Sequence, residues 1–194
     1  MIRSQGDGDW IHGDAMSTQG FTWLMRQCGL QWRRLLVQGG HVLSFIDWRM
    51  AASLAASLES ADLRQHPTLV WDKTMFGMGA VFRNQHEFVV HMSLGSPLPP
   101  QRRDMGNVLR CAPVRGGAHP TEKPLPLLRD LLSVVAPPGL PVLDPFAGSA
   151  SALLAARELG LPAVGIESDE RWCEQAALRL SKDDERQSSA VTGL

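Results

Sequence analysis

The sequence predicts an α/β fold built on a layered sheet, and three observations carry that expectation. Amphipathic helical stripes alternate with short apolar strands along the chain. The last third reads as a β-α-β-α unit with short connections. With 194 residues, 44% of them hydrophobic, there is enough chain to bury a core without disulfide staples. A typical domain of roughly 150 residues makes this one domain, or one with a short appendage.

Residues Met1 to Gly20 are polar and glycine-rich, and predict a loop or a broken element. Leu24, Cys28, Trp32 and Leu35 fall at helical spacing within Phe21 to Leu36. Gly39-Gly40 stops that helix, and His41 to Ile46 (HVLSFI) follows as a buried strand ending at Asp47. Ala51, Leu54, Ala55 and Leu58 mark a second helix. Thr68 to Trp71 and Glu87 to Met92 are the next strands. Leu94 to Gly117 changes character: proline and glycine punctuate it, and Arg102, Arg103, Arg110 and Arg115 accompany one acid, Asp104. That stretch predicts a loop or small insertion outside the sheet, either a solvated connector or a phosphate-contacting segment.

Leu125, Leu128, Leu132 and Val135 stripe a further helix, ended by Pro137-Pro138-Gly139. Pro141 to Asp144 is a strand, and Ser151 to Leu159 a helix closed by Gly160. Ala163 to Glu167 is the next strand, and Trp172, Cys173, Ala176 and Leu180 stripe the last helix. From Ser181 the tail is polar and is expected to fray.

Composition excludes several classes. An apolar fraction of 44% rules out a disordered chain, and a net charge of −1 rules out a globally basic nucleic-acid binder. Cys28, Cys111 and Cys173 are odd in number and scattered, so neither a disulfide framework nor a zinc knuckle is expected. The N-terminal residues lack the apolar run of a signal peptide, and no apolar run is long enough to span a membrane. A cytoplasmic protein is expected.

Asp144 to Ala150 combines a strand end, a glycine turn and a helix N-terminus, which together gather free N–H groups around a small ligand. Glu167 ends the next strand, 23 residues after Asp144. A carboxylate there accepts hydrogen bonds from both hydroxyls of a ribose, so the pair suits an adenosine-containing cofactor. A plain turn followed by a surface glutamate has the same sequence, and G-x-G-x-x-G is absent.

Several motifs in one order then resemble a known family. DPFAGSA (Asp144–Ala150) and GIE (Gly165–Glu167) look like the cofactor-binding half of S-adenosylmethionine-dependent DNA amino-methyltransferases, acting on adenine N6 or cytosine N4. HPTEKP (His119–Pro124) resembles the segment leading into that half. GGHVLSFIDWR (Gly39–Arg49), VWDK (Val70–Lys73) and RNQHEFVV (Arg83–Val90) are similar to the catalytic half. Catalytic region first and cofactor region last is the circularly permuted β-group order, and the resemblance runs from about Ile11 to Leu180.

The resemblance implies a Rossmann-like methyltransferase sheet and S-adenosylmethionine as cofactor. It places Asp144, Phe146 and Gly148 in the cofactor pocket, Glu167 on the ribose, and Thr121 and Lys123 near the methionine end. Ala150 stands where the family has glycine, and alanine tolerates positive φ poorly. Double-stranded DNA is the implied partner, with Arg102, Arg103, Arg110 and Arg115 as its phosphate contacts. The implied parts are 1–93, a partial catalytic half; 94–118, a short recognition insertion; 119–182, the cofactor half; and 183–194, a disordered tail.

An exocyclic amine is a poor nucleophile because its lone pair is conjugated with the ring. The family answers with a D/N/S-P-P-Y/F/W tetrapeptide that accepts the amine's hydrogens and stacks on the flipped base. None of the 194 residues form that tetrapeptide: Ser96–Pro100 and Ala136–Pro138 lack the acceptor, the spacing and the aromatic. IHGDAM (Ile11–Met16) matches either the strand before the catalytic loop or a G-D segment after it, the second being simpler. Under either alignment the tetrapeptide is missing, together with its strand. The expectation is therefore an N-terminally incomplete sheet with unpaired backbone at its middle, marginal stability, and no catalytic residue assigned. The segment has been deleted, lies before Met1, or is supplied by a second chain.

Other motifs have plainer readings. HEFVVH (His86–His91) spaces its histidines one residue too far for a zinc-protease helix, so no metal is expected. Trp48 and Trp71 read as core rather than base-stacking residues, Asp47 and Asp72 equally as caps or as site residues, and Arg83 with Glu87 as a solvated strand-end pair. GSAS (Gly148–Ser151) does not match G-x-S-x-G. The functional expectation is a DNA amino-methyltransferase of phage or restriction type. The alternatives are a non-catalytic remnant that at most binds the cofactor or DNA, and a small-molecule methyltransferase, against which the arginine stretch argues.

Overall fold

The computed structural model describes residues 16–116 and 121–192, with side chains to residue 182. Helix α1 (Thr18–Leu35) starts at Ser17, whose hydroxyl accepts the Gly20 amide, so the helix begins earlier than the glycine content suggests. Strand β1 (His41–Ile46) follows, then α2 (Ala51–Glu59), the two-residue β2 (Arg64–Gln65), β3 (Leu69–Asp72) and β4 (His86–Ser93). The order continues with β5 (Val108–Arg110), α3 (Leu125–Val135), β6 (Val142–Asp144), α4 (Ser151–Glu158), β7 (Ala163–Gly165) and α5 (Glu170–Thr192).

The strands do not form one sheet. The larger sheet runs β1-β4-β3-β5, with β2 also on β4; β6 and β7 pair separately and in parallel. β1 is antiparallel to β4 from His41↔Ser93 to Ile46↔Phe88, and β3 is parallel to β5. Alternation along β1 sends Val42 and Ile46 to one face and Leu43 and Phe45 to the other. On the first face α1 and α2 supply Met25, Leu54 and Leu58 against Val90 and Met92. On the second, α3 packs Leu127 and Leu131 against Trp71 and Leu109. Burying side chains of this size is worth about 1.5–3 kcal/mol each, so both faces hold the larger sheet.

The smaller sheet is poorly covered. α4 crosses from β6 to β7 and packs on both, and it also packs against α3. Yet Leu143, Val164 and Ile166 are 37%, 56% and 55% exposed, unlike the usual parallel sheet, which is covered on both faces. Among the described residues β1 and β6 are both edge strands. α3 packs on the Leu43 and Phe45 face of the larger sheet and against α4, the helix that follows β6, so it links the two sheets.

Several expectations need correction. The 94–118 insertion is not wholly outside the sheet: Val108–Arg110 is β5, because Val108 and Arg110 flank a buried Leu109 that completes the Trp71 cluster. Ser181 to Thr192 continues helix α5, since no glycine or proline interrupts residues 170–192. Trp48 is 52% exposed, in the turn after β1, with the Arg49 guanidinium 5.6 Å from its ring; Trp71, at 2%, is core as expected. Arg83 and Glu87 do not pair: Arg83 bonds the Gly77 carbonyl, and Glu87 is held between two lysines. His86 and His91 are strand residues of β4, five apart. No described helix is long and apolar enough to cross a membrane.

Candidate functional site

The end of β6 and the end of β7 are stitched together by backbone. The Ile166 amide donates to the Asp144 carbonyl at 2.8 Å, and the Ala147 amide donates to the Ile166 carbonyl at 2.9 Å. Between them the chain turns through Gly148 at φ 48 and Ala150 at φ 63, both left-handed. That conformation suits glycine and strains alanine. Gly165 is fixed by packing instead: a Cβ there would meet Leu153 Cδ2 at 2.9 Å and Ala147 Cβ at 3.0 Å.

Glu167 organises this loop. Its Oε2 accepts the Gly148 amide at 2.8 Å, and its Oε1 accepts the amides of Ser168 at 2.7 Å and Asp169 at 2.9 Å. Burial works to raise its pKa, but these backbone donors outweigh it and hold the carboxyl below the ordinary range. Asp144 is shifted the other way. Burial raises it and the Glu167 charge adds to that, against one hydrogen bond from the Phe146 amide. Two carboxylates therefore face a turn that is flanked by exposed apolar groups, Phe146 at 60% and Ile166 at 55%. The arrangement suits a cationic ligand with an aromatic base: Oε2 of Glu167 keeps a lone pair for a hydroxyl, and Phe146 offers a ring face.

The resemblance groups Asp144, Phe146, Gly148 and Glu167, and the structure brings these four together. Lys123 Nζ donates to the Thr121 carbonyl at 3.3 Å. Lys123 Nζ lies 3.3 Å from Glu87 Oε2, 5.3 Å from the Phe45 ring centroid and 5.8 Å from that of Trp71. It therefore sits over the larger sheet, opposite Lys73, whose Nζ is 2.6 Å from Glu87 Oε1. Burial works to raise the Glu87 pKa, and the two lysines more than reverse it. His119 and Pro120 of the HPTEKP motif lie outside the described residues, as do Ile11 to Ala15 of IHGDAM.

Reasoning from sequence missed Glu122, of the same motif. Its side chain is 7% exposed and lies 2.7 Å from Arg179 of α5. A charged residue between the two assigned positions of that motif was the available signal, and nothing in the spacing singles out Arg179 among the helical arginines downstream.

The four arginines assigned to DNA are exposed but not equivalent. Arg102 forks onto Asp104 at 2.6 and 2.7 Å, and Arg110 lies 3.4 Å from Asp72. Arg115 reaches the Met75 sulfur at 3.5 Å. Asp47 and Asp72 cap turns, accepting the amides of Arg49 and Thr74 respectively. Among the described residues no group of three His, Cys, Asp or Glu is placed to hold a metal ion.

A family model described as DNA methylase, of the N6/N4 methyltransferase type, matches residues 5–178. YubD of Escherichia coli (strain K12), whose description is that of a candidate methylase, is 31% identical over 159 residues, covering 82% of this chain and 69% of that one. TTHA0409 of Thermus thermophilus, a structure complexed with S-adenosyl-L-methionine, superposes with a TM-score of 0.71 at 21% identity over 90% of this chain and 82% of that one. The cytosine-N4-specific PvuII DNA methyltransferase gives 0.72 at 12% identity, covering 92% and 76%.

Proposed function

This chain belongs to the S-adenosylmethionine-dependent N6/N4 DNA methylase family, and on that premise we propose that it holds the methyl donor for transfer to an exocyclic amine of adenine or cytosine in double-stranded DNA. The observation that carries the reading is the Glu167–Gly148 cradle with Asp144 beside it. When bound, the cofactor supplies an electrophilic methyl group on a sulfonium. Glu167 holds the ribose, Phe146 and Ile166 flank the adenine, and Asp144 faces the positive end. Residues 119–182 form the cofactor half, with Thr121 and Lys123 at its methionine side. In the 94–118 insertion Arg102, Arg103, Arg110 and Arg115 contact phosphates, weakening with salt as such contacts do. The protein acts in the cytoplasm.

The amine acceptor would come from a D/N/S-P-P-Y/F/W segment outside these 194 residues, upstream of Met1 or on a partner chain. The split sheet supports this: β1 and β6 are both open edges among the described residues, and a two-stranded parallel pair of three-residue strands is too small to be stable by itself. One extended segment between them would join the two sheets. The alternative is a chain that binds the cofactor or DNA without transferring the methyl group, favoured by the absence of the tetrapeptide among the 194 residues.

The test is transfer from labelled S-adenosylmethionine to unmodified duplex DNA, with nucleoside analysis, with and without a synthetic strand ending in D-P-P-Y. N6-methyladenine or N4-methylcytosine only with the peptide supports a missing catalytic segment. Product without it shows that the chain transfers alone. Cofactor binding with no product in either arm supports the binding-only reading.

A further inference from the structure

Resting on the cofactor reading of the Glu167–Gly148 cradle, we infer that Arg179 is the positioning residue for its loop, holding the Ser149–Ala150 peptide in a left-handed turn that alanine would otherwise leave. Ala150 is fully buried at φ 63, ψ 27, and stands immediately before α4 without a side-chain cap. An L-residue with a Cβ is disfavoured there; the Ala150 amide is held within the turn by the Ala147 carbonyl at 2.7 Å, and the opposite end of the same peptide, the Ser149 carbonyl, is held from outside it.

Arg179 provides that outer hold. From α5, its Nη1 donates to the Ser149 carbonyl at 3.1 Å, and lies 3.1 Å from Ser149 Oγ and 3.2 Å from Ser151 Oγ. The Ser149 carbonyl belongs to the peptide whose rotation sets φ of Ala150. The other nitrogen, Nη2, lies 2.7 Å from the buried Glu122 carboxylate. Ser149 and Ser151 are themselves buried, at 4% and 6% exposure, so water does not compete for these bonds. One planar guanidinium thus ties three segments to one peptide: the segment before α3, the cradle loop and α5. A lysine's single ammonium lacks the fork needed to serve both sides. The Gly148 amide that Glu167 grips is one residue away from the clamped peptide, so loss of the clamp reaches the cofactor contact directly.

The claim makes Arg179 necessary only while residue 150 is alanine, and a double-mutant cycle tests that. Arg179→Ala is expected to weaken S-adenosylmethionine binding about 10-fold and to speed amide exchange across residues 147–154. In the Ala150→Gly background the same substitution should change affinity by less than about 3-fold and leave exchange near that of Ala150→Gly alone. An equal loss in both backgrounds, or none in either, overturns the inference. Should Arg179→Ala not fold, Arg179→Lys and Glu122→Gln run the same cycle, with smaller losses that Ala150→Gly again removes. Wild-type protein that binds no S-adenosylmethionine defeats the cofactor reading, while the exchange arm still decides Arg179.

Discussion

Glu167 and Gly148, nineteen residues apart, are joined by an amide-to-carboxylate hydrogen bond of 2.8 Å. This bond closes the turn after β6 onto the end of β7, so one carboxylate shapes the loop on which the proposed cofactor contact rests. Glu167→Gln keeps the size of the side chain and removes the charge. Hydrogen bonds to charged groups are worth about 1.5–3 kcal/mol each, against about 1 for neutral ones. Calorimetric titration with S-adenosylmethionine should show affinity falling about 10- to 100-fold. Unchanged affinity would remove Glu167 from the ribose.

Asp144 supplies a pH signature. Burial first, then the Glu167 charge, hold its carboxyl above the ordinary range. In the window between the ordinary pKa and the raised one, the folded chain binds the proton and the unfolded chain does not. Asp144 therefore lowers stability as pH rises through that window. Cofactor binding runs the opposite way, because a cationic ligand favours the ionised form. Affinity should climb as pH rises through the Asp144 range, and Asp144→Asn should flatten that profile while leaving the neutral-pH melt no lower. A profile equally steep in Asp144→Asn would assign the titration to another group.

Much of this is legible in the sequence because local patterns carry it. DPFAGSA and GIE set a strand, a turn and a carboxylate at known offsets, and the four residues they nominate do converge. The contact of Lys123 with Glu87 is not legible in the sequence, because Glu87 lies 36 positions away on another strand and no spacing rule links them. β5 escapes sequence reading for a similar reason: three residues with one buried leucine give no periodicity, and only pairing with β3 makes them a strand. Trp48 reads as core because indole usually is, but it belongs to a turn. A missing motif is enough to predict an interrupted sheet, whereas the Arg179 clamp joins residues of three segments and has no sequence pattern.

Gly165 tests how tightly β7 is bound beneath the cradle. A methyl group there would press on Leu153 at 2.9 Å and Ala147 at 3.0 Å. Leu153 can rotate; the Ala147 Cβ is fixed to the backbone of the loop. Overpacking of this kind costs about 1–3 kcal/mol. Gly165→Ala should lower the urea midpoint accordingly and weaken S-adenosylmethionine binding, since the displaced residue adjoins Gly148. A variant with unaltered midpoint and affinity would show that the loop gives way freely.

A second pH effect lies in the larger sheet. His41 Nδ1 is 3.0 Å from His91 Nε2, the His66 and His91 ring centroids are 4.7 Å apart, and His66 Nε2 is 2.7 Å from the Ser93 hydroxyl. These rings join β1, β4 and the segment after β2. Burial lowers His91 to about 4, and the charges of His66 and His41 add to that. His41 is lowered by burial and by His66, and His66 by burial and the neighbouring Arg64. Between the ordinary imidazole value and about 4, the unfolded chain takes up a proton that the folded chain refuses. Stability is therefore complete above that window and is lost as pH falls through it. A shift of this size corresponds to about 3 kcal/mol at most. The carboxylates held low, such as Glu167 and Asp72, lose their contribution only at more acidic pH. Urea midpoints measured from pH 7.5 down to about 5 should fall steadily in the wild type and much less in His91→Gln. Parallel slopes in the two proteins would move the acid sensitivity away from this histidine stack.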